Sequence, residues 1–265
     1  AILISSSFAL IFASDYGWNL TYQVMSLLML IGIIGVLICP EEVNVNLKRL
    51  TLQNSIVEPL KDFITRFGLY FASFLLMIVA TYRLTDIVMG PMASPFYLEK
   101  GYTLKEIGYI VKVVAVIASI VGFFLGGLLV KRLGVKVTLI IGAFLVLMTN
   151  LSFSLVAILE KDLYLLGWVV GADSLAAGVV GTANITFLTS LVSKKYTAVQ
   201  YALLTSFMML PGKFFSGFSG MLANFMKYEF GEENGWMAFF IFTSLLTLPS
   251  LLLLFYYIRR NNLND

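Results

Sequence analysis

Residues 70–98 read YFASFLLMIVATYRLTDIVMGPMASPFYL. The stretch is long enough to cross a bilayer as a helix, yet Arg83 and Asp86 lie near its middle and Pro91 and Pro95 in its last third. A charge at that depth costs about 3 kcal/mol or more unless it faces a bundle interior or a wet cavity. Prolines there free backbone groups that lipid cannot satisfy. The stretch therefore predicts a membrane-spanning segment that lines a polar path inside a bundle of helices.

The composition indicates the same class of protein. Apolar residues make up 59% of the 265 residues and charged residues 12%, whereas about a quarter of an ordinary soluble domain is charged. We therefore predict an all-α polytopic membrane protein. One cysteine and no histidine exclude a disulfide within the chain and argue against a zinc or haem site. We expect no metal, no cofactor, no nucleic-acid partner and no enzymatic activity, because the chain also lacks a nucleotide-binding loop and a recognisable nucleophile.

The hydropathy pattern predicts about eight spans, the first of them truncated. The opening run AILISSSFALIFA reaches only about 20 Å as a helix, which is short of the hydrocarbon core of about 30 Å. We read this run as the tail of a span and expect the chain to be part of a longer protein. The seven complete segments are 20–39, 67–98, 107–130, 137–159, 163–192, 198–226 and 236–258.

The connecting segments alternate in charge. Those after residues 39, 130 and 192, together with the C-terminus, are rich in lysine and arginine, and the others are rich in aspartate and glutamate. Basic residues accumulate on the cytoplasmic side of a membrane. We therefore predict a multi-pass protein with a cytoplasmic C-terminus.

The longest connecting segment, 40–66, contains a helical pattern. Leu60, Phe63, Ile64 and Phe67 follow the i, i+3, i+4, i+7 spacing of one helix face. The pattern predicts an amphipathic helix at the membrane interface. An ordinary linker is the alternative.

A short motif recurs at two span starts. Gly17-Trp18 and Gly235-Trp236 each precede an aromatic residue four positions after the tryptophan. Both spans run from outside to inside, which is similar to the two six-span repeats of major facilitator transporters. We therefore expect residues 1–39 to end a first bundle, 40–66 to form a central cytoplasmic loop and 67–265 to form a second six-helix bundle.

Several further stretches resemble the AmpG-type muropeptide permeases, a branch of the major facilitator superfamily that also includes acetyl-CoA transporters. Residues 126–129 and 132–134 look like a reduced form of the superfamily's signature loop, with Lys131 replacing an acidic residue, and this resemblance implies gating roles for Gly127, Arg132 and Gly134. The other stretches are Gly17-Trp18 with Thr21-Tyr22, Glu106-Ile107-Gly108 with Lys112, Gly181-Thr182-Ala183 with Phe187, and TAVQYALLT (197–205) with Gly212-Lys213, where the family typically has arginine at the last position.

The resemblance implies proton-driven import of GlcNAc-anhydroMurNAc species, with or without peptide, across the inner membrane for peptidoglycan recycling. The implied partners are a small anionic sugar-peptide, protons, the lipid bilayer and an N-terminal half. Two alternatives stay open: a transporter of acetyl-CoA or another anionic solute, and a non-transporting remnant or partner subunit of a permease.

Five ionisable residues fall inside the predicted spans. Arg83 and Asp86 share a helix face and can pair, so that Arg83 holds a substrate carboxylate while Asp86 exchanges a proton; a purely structural pair is the alternative. Asp173 suits a proton carrier, or a permanent salt bridge to a basic residue such as Lys213. We expect Lys213 and Lys112 to contact an anionic substrate, although Lys112 is shallow enough to reach the headgroups instead.

Two neutral side chains are further candidates. Gln200 either contacts the substrate or fixes the turn after Lys194-Lys195. Asn184 is more suited to bridging two helices.

Overall fold

The computed structural model describes residues 9–38 and 52–261, and these residues form helices joined by short turns, with no strand among them. The helices are α1 (Ala9–Tyr16), α2 (Trp18–Ile38), α3 (Leu52–Phe67), α4 (Leu69–Tyr82), α5 (Leu84–Glu99), α6 (Leu104–Glu106), a π-helix (Ile107–Val114), α7 (Ala115–Ile158), α8 (Leu163–Leu191), α9 (Thr197–Ser216), α10 (Ser219–Phe230), α11 (Glu232–Leu245) and α12 (Leu248–Asn261).

Five helical runs are long and apolar enough to cross a membrane, which confirms the predicted all-α polytopic membrane fold. The longest run, Leu104–Ile158, has 55 residues, about 80 Å at the helical rise and far more than one bilayer crossing. Its backbone is interrupted at Gly134, where φ is 80° and ψ is 164°. Because glycine alone adopts this conformation without strain, α7 contains two helices joined at Gly134.

The packing of α7 against α8 shows that the two halves of α7, before and after Gly134, run in opposite directions. Along the first half of α7, the residue numbers of the contacting positions on α7 and α8 increase together. Along the second half, they increase on α7 while they decrease on α8. Both halves pack against α8, so α7 is an antiparallel hairpin, as the two predicted spans 107–130 and 137–159 require. The neighbouring pairs are Gly122 with Leu175, Gly126 with Val179, Gly142 with Val180, and Thr149 with Asp173.

Three other predicted spans are broken near their middles. The segment from 69 to 99 breaks at Arg83, the segment from 197 to 230 at Gly217-Phe218, and the segment from 232 to 261 at Leu246-Thr247. The prolines lie elsewhere, since Pro91 and Pro95 are inside α5 and Pro211 is inside α9. The break after α9 therefore lies several residues beyond Pro211.

The first and third breaks lie side by side. The Thr85 and Thr247 hydroxyl groups share a buried hydrogen bond of 2.9 Å. This bond joins the start of α5 to the α11–α12 junction.

The bundle has two buried apolar clusters, one towards each end. The cluster around Leu75, Leu139 and Leu254 packs α4, α7 and α12 together. The cluster around Phe96, Phe153 and Phe240 packs α5, α7 and α11 together, with the rings of Phe96 and Phe240 4.8 Å apart. The polar middle of the broken segments lies between the two clusters.

The two ends differ in the charges they expose. One end, here called the basic end, carries the exposed side chains Lys61, Lys131, Arg132, Lys194 and Lys195. The other, the acidic end, carries Glu99, Glu160, Asp162, Glu229 and Glu232. At the acidic end, Lys227 pairs with Glu99 at 3.0 Å and Lys161 pairs with Glu106 at 3.0 Å.

The segment before α4 is a helix and not an ordinary linker. Helix α3 covers Leu52–Phe67 and ends at Gly68, whose φ of 73° turns the chain into α4. Phe63 is buried against the α4 core, and its ring is 5.0 Å from Phe67. The predicted amphipathic helix is therefore present.

The repeated Gly-Trp motif forms the same side-chain pair twice. Trp18 stacks on Tyr22 at 5.9 Å and Trp236 stacks on Phe240 at 6.0 Å. Their surroundings differ, because Trp18 is exposed whereas Trp236 is buried and donates to Glu99. The six-span repeat inferred from this motif stays a prediction.

Candidate functional site

Arg83 and Asp86 form an ion pair at the break in the segment from 69 to 99. Arg83 Nε lies 3.5 Å from Asp86 Oδ2, as their three-residue spacing predicts. Arg83 separates α4 from α5, and Asp86 lies in the first turn of α5. The exposed N–H groups and positive dipole end of that turn favour a carboxylate. The start of α5 at the break therefore stabilises the ionised carboxylate of Asp86, far from either end of the segment.

The guanidinium of Arg83 keeps hydrogen-bonding capacity. Its backbone has φ −105° and ψ 6°, a sparsely populated region. Nε is buried and makes no hydrogen bond within the described part of the chain, and its 3.5 Å distance to Asp86 Oδ2 is longer than an ordinary hydrogen bond. The side chain as a whole remains 27% accessible. Arg83 can therefore still bind an anionic acceptor.

A second carboxylate inside the membrane segments belongs to Asp173. Thr149 Oγ1 of α7 donates to Asp173 Oδ1 of α8 at 2.9 Å. Asp173 and Asp86 are close enough to interact electrostatically. We call Arg83, Asp86, Thr149 and Asp173 the polar cluster.

The polar cluster lies deep in the membrane segments. Asp173 is ten residues along α8 from Leu163, about 15 Å at the helical rise. Asp86 is 13 residues before Glu99, about 20 Å from that end of α5. Both carboxylates are thus well inside a hydrocarbon core of about 30 Å.

Lys213 lies on α9 with an exposed side chain. Its neighbour Gly212 is so close to α5 that a Cβ there would lie 2.7 Å from Ile87 Cδ1, which places the Lys213 backbone next to the first turns of α5. Among the described residues no ion pair joins Lys213 to Asp173. The alternative of a permanent Asp173–Lys213 salt bridge is therefore wrong for this structure, and Thr149 is the partner instead.

Lys112 lies in the π-helix Ile107–Val114. Its side chain is outside the described residues, so its proposed contact with substrate stays a prediction.

Gln200 lies away from the polar cluster, at the start of α9 and at the basic end. Its side chain is 2% exposed. Oε1 accepts from Ser193 N at 2.7 Å and from Arg66 Nη2 at 3.0 Å, and Nε2 donates to the Pro59 carbonyl at 2.8 Å and to Asp62 Oδ2 at 2.9 Å. An amide side chain has two donors and two acceptor sites, and all four are used here. The contact with Ser193 is the one expected if Gln200 fixes the turn, while its substrate-binding role stays a prediction.

Asn184 bridges two helices, as expected. Its Nδ2 donates to Met208 Sδ at 2.9 Å and links α8 to α9 in the buried core.

The three residues given gating roles lie in and before the α7 hairpin turn. Gly127 has open space where a Cβ would be, Arg132 is exposed and Gly134 makes the turn itself. Their gating role stays a prediction.

Sequence reasoning missed Thr149 and Tyr82. Thr149 holds Asp173, and the buried hydroxyl of Tyr82, one residue before Arg83, donates to the Leu139 carbonyl at 3.1 Å. The signal for Thr149 was present, since Thr149-Asn150 is a polar pair inside the apolar span 137–159. Tyr82 gave no such signal, because tyrosine is common in membrane proteins.

Comparison with known proteins identifies the family. The family model of the Major Facilitator Superfamily matches residues 1–216. The chain is 33% identical over 262 residues to a putative transporter AmpG 4 of Rickettsia conorii, an alignment that covers 96% of this chain and 61% of that protein. It is 30% identical over 255 residues to the anhydromuropeptide permease of Escherichia coli, covering 96% of this chain and 50% of the permease.

The chain thus spans about half to three-fifths of the length of these relatives. Together with the apolar helices, the match shows a multi-pass membrane protein of a transporter family and not an enzyme family. With its broken membrane segments and its charged cluster inside them, this chain belongs to the Major Facilitator Superfamily and resembles the AmpG-type permeases over most of its length.

Proposed function

We propose that the protein to which this chain belongs imports anhydro-muropeptides by proton symport across the cytoplasmic (inner) membrane, with the basic end and the C-terminus in the cytoplasm. The observation that carries the proposal is the Arg83–Asp86 ion pair at a mid-segment helix break, beside Asp173. Intramembrane charges are costly and usually functional. Similarity to the E. coli anhydromuropeptide permease supports the substrate class.

Arg83 would bind the acidic group of the substrate. A muropeptide carries carboxylates, and a guanidinium binds a carboxylate through paired hydrogen bonds. Arg83 Nε makes no such bond within the described residues. Lys213, whose backbone lies near the first turns of α5, would add a second positive charge when its side chain turns towards the substrate.

Asp86 and Asp173 would carry the coupled proton. Two carboxylates that interact repel when both are ionised, so a proton on either one relieves the repulsion. A substrate carboxylate drawn to Arg83 would compete with Asp86 for the same guanidinium. Substrate binding and proton binding would thereby favour each other.

The test is uptake of labelled GlcNAc-anhydroMurNAc by the protein expressed from its complete reading frame, in right-side-out vesicles with an imposed pH gradient. We expect accumulation that requires the gradient, at least a tenfold loss in Asp86→Asn and Asp173→Asn, and a raised KM in Arg83→Gln. Glu160→Gln, an exposed acidic residue between α7 and α8, is the matched control and should transport normally. Normal proton-driven accumulation in both aspartate variants would overturn their coupling role, and no uptake by the unmodified protein would overturn the muropeptide assignment.

A transporter of acetyl-CoA is the second candidate, because the same positive charges suit any anionic solute. Competition separates the two. Excess acetyl-CoA should leave muropeptide uptake unchanged if the proposal is right, and should abolish it if acyl-CoA is the preferred substrate.

A further inference from the structure

Helix α3 presents an apolar face that no other described part of the chain covers. Ile56, Val57, Leu60 and Ile64 are 46%, 51%, 42% and 40% exposed. At 100° per residue they occupy one continuous arc of the helix. An exposed arc of this kind on one helix marks an interaction surface.

The neighbouring arc of α3 is fixed to the bundle. Asp62 and Arg66 both bond to Gln200, and Arg66 also donates to the Leu191 carbonyl at 3.0 Å. Glu58 accepts from the Tyr196 hydroxyl at 3.1 Å. These contacts tie α3 to the end of α8 and the start of α9, so the helix cannot rotate to bury its apolar arc. Gln200 is the positioning residue of this attachment.

Around the apolar arc, the acidic side chains are bonded to the bundle and the basic side chains are exposed. The acidic residues of α3, Glu58 and Asp62, are engaged by Tyr196 and by Gln200 with Arg66. Lys61 is exposed beside the apolar arc, and Lys194 and Lys195 are exposed in the adjoining turn. The outer surface around α3 is therefore positively charged.

The position of α3 relative to the membrane is set by Gly68. The chain turns there and the membrane segment Leu69–Glu99 begins at the next residue. Tyr70 is 71% exposed one residue later, and exposed tyrosines mark the headgroup level. Helix α3 thus lies at the depth of the lipid headgroups.

We propose that α3 is a membrane-surface anchor, in which Ile56, Val57, Leu60 and Ile64 insert among the acyl chains and Lys61, Lys194 and Lys195 bind anionic headgroups. A helix with an apolar face and a basic border binds anionic bilayers in this way. Gln200 holds α3 at the orientation that the bilayer requires. This role is independent of which solute the protein carries.

The test measures the depth of single spin labels in nanodiscs. In a Cys39→Ser background, which removes the single cysteine of this chain, labels are placed at Leu60→Cys and Ile64→Cys, with Thr65→Cys as the control at an exposed position of α3 outside the apolar arc. We expect labels at 60 and 64 to show a several-fold higher ratio of oxygen to nickel-chelate accessibility than the label at 65, in discs containing phosphatidylglycerol. The second position guards against misfolding of either variant.

Two results would overturn the proposal. Equal nickel accessibility at all three positions would show that the arc faces water, and protection of 60 and 64 from both reagents would show that another protein segment covers it. The headgroup contribution is tested by comparing phosphatidylcholine discs with discs that contain phosphatidylglycerol. Labels at 60 and 64 should move outward without the anionic lipid, and they should gain mobility in Gln200→Ala.

Discussion

Thr149 and Asp173, 24 residues apart in the chain, are joined by a 2.9 Å hydrogen bond between the second half of α7 and α8. The bond orients a carboxylate deep in the membrane segments, where it interacts electrostatically with Asp86, the ion-pair partner of Arg83. Because a carboxylate inside the bundle has fewer waters around it than one in bulk solvent, this hydroxyl fixes the direction of its oxygens.

Replacement of Thr149 by valine should reduce proton-driven uptake. Valine keeps the shape and removes the donor, and a hydrogen bond to a charged group contributes about 1.5–3 kcal/mol. We expect a loss of about tenfold to a hundredfold in kcat/KM. Uptake assays with Thr149→Ser, which retains the hydroxyl, should restore most of the rate, and an unimpaired Thr149→Val would show that the bond is dispensable.

Replacement of Gln200 by alanine should destabilise the protein. The substitution removes the hydrogen bonds that Gln200 makes to Ser193 N, the Pro59 carbonyl and Arg66, and a buried donor left unsatisfied costs about 1–3 kcal/mol. Thermal unfolding in detergent should show a clearly lower Tm. Gln23→Ala on the exposed surface of α2 is the control and should leave the Tm unchanged; equal effects of the two substitutions would contradict the prediction.

Two glycines on α7 should respond oppositely to alanine. A Cβ on Gly122 would collide with the Leu175 carbonyl oxygen of α8, whereas a Cβ on Gly127 meets nothing within 4 Å. Overpacking of a helix interface costs about 1–3 kcal/mol, and alanine in an exposed helix position gains about 1 kcal/mol over glycine. Gly122→Ala should therefore lower the Tm and Gly127→Ala should keep or raise it. A tolerated Gly122→Ala would mean that α7 and α8 are further apart than described.

Acid should release α3 from the bundle. The amide of Gln200, and then the charge of Arg66, hold the pKa of Asp62 below its ordinary value of 3.8. Because the folded pKa is the lower one, ionised Asp62 stabilises the attachment above the unfolded pKa of about 3.9, and this contribution is lost as the pH falls through the folded pKa.

The mobility of a spin label at position 60 should therefore rise in acid. In Asp62→Asn it should be the same above and below the transition. A label whose mobility rises equally in Asp62→Asn would assign the acid transition to another group.

Several features followed from the sequence because they are properties of single helices. Hydropathy predicted the five long apolar helical runs, a three-residue spacing predicted the Arg83–Asp86 pair, and an i, i+3, i+4, i+7 apolar pattern predicted α3. Each depends on residues within a turn or two of one another, where backbone geometry fixes which side chains meet.

Tertiary packing decided the rest. The partner of Asp173 is Thr149 and not Lys213, the helix breaks lie at Arg83 and Gly217 and not at the prolines, and Gln200 uses its whole hydrogen-bonding capacity on groups up to 141 residues away. A polar side chain inside a membrane bundle bonds to whichever group the neighbouring helices bring within about 3 Å. That proximity is set by how helices distant in the chain pack together, so hydropathy and spacing identified the buried polar residues of this protein, and only its fold chose their partners.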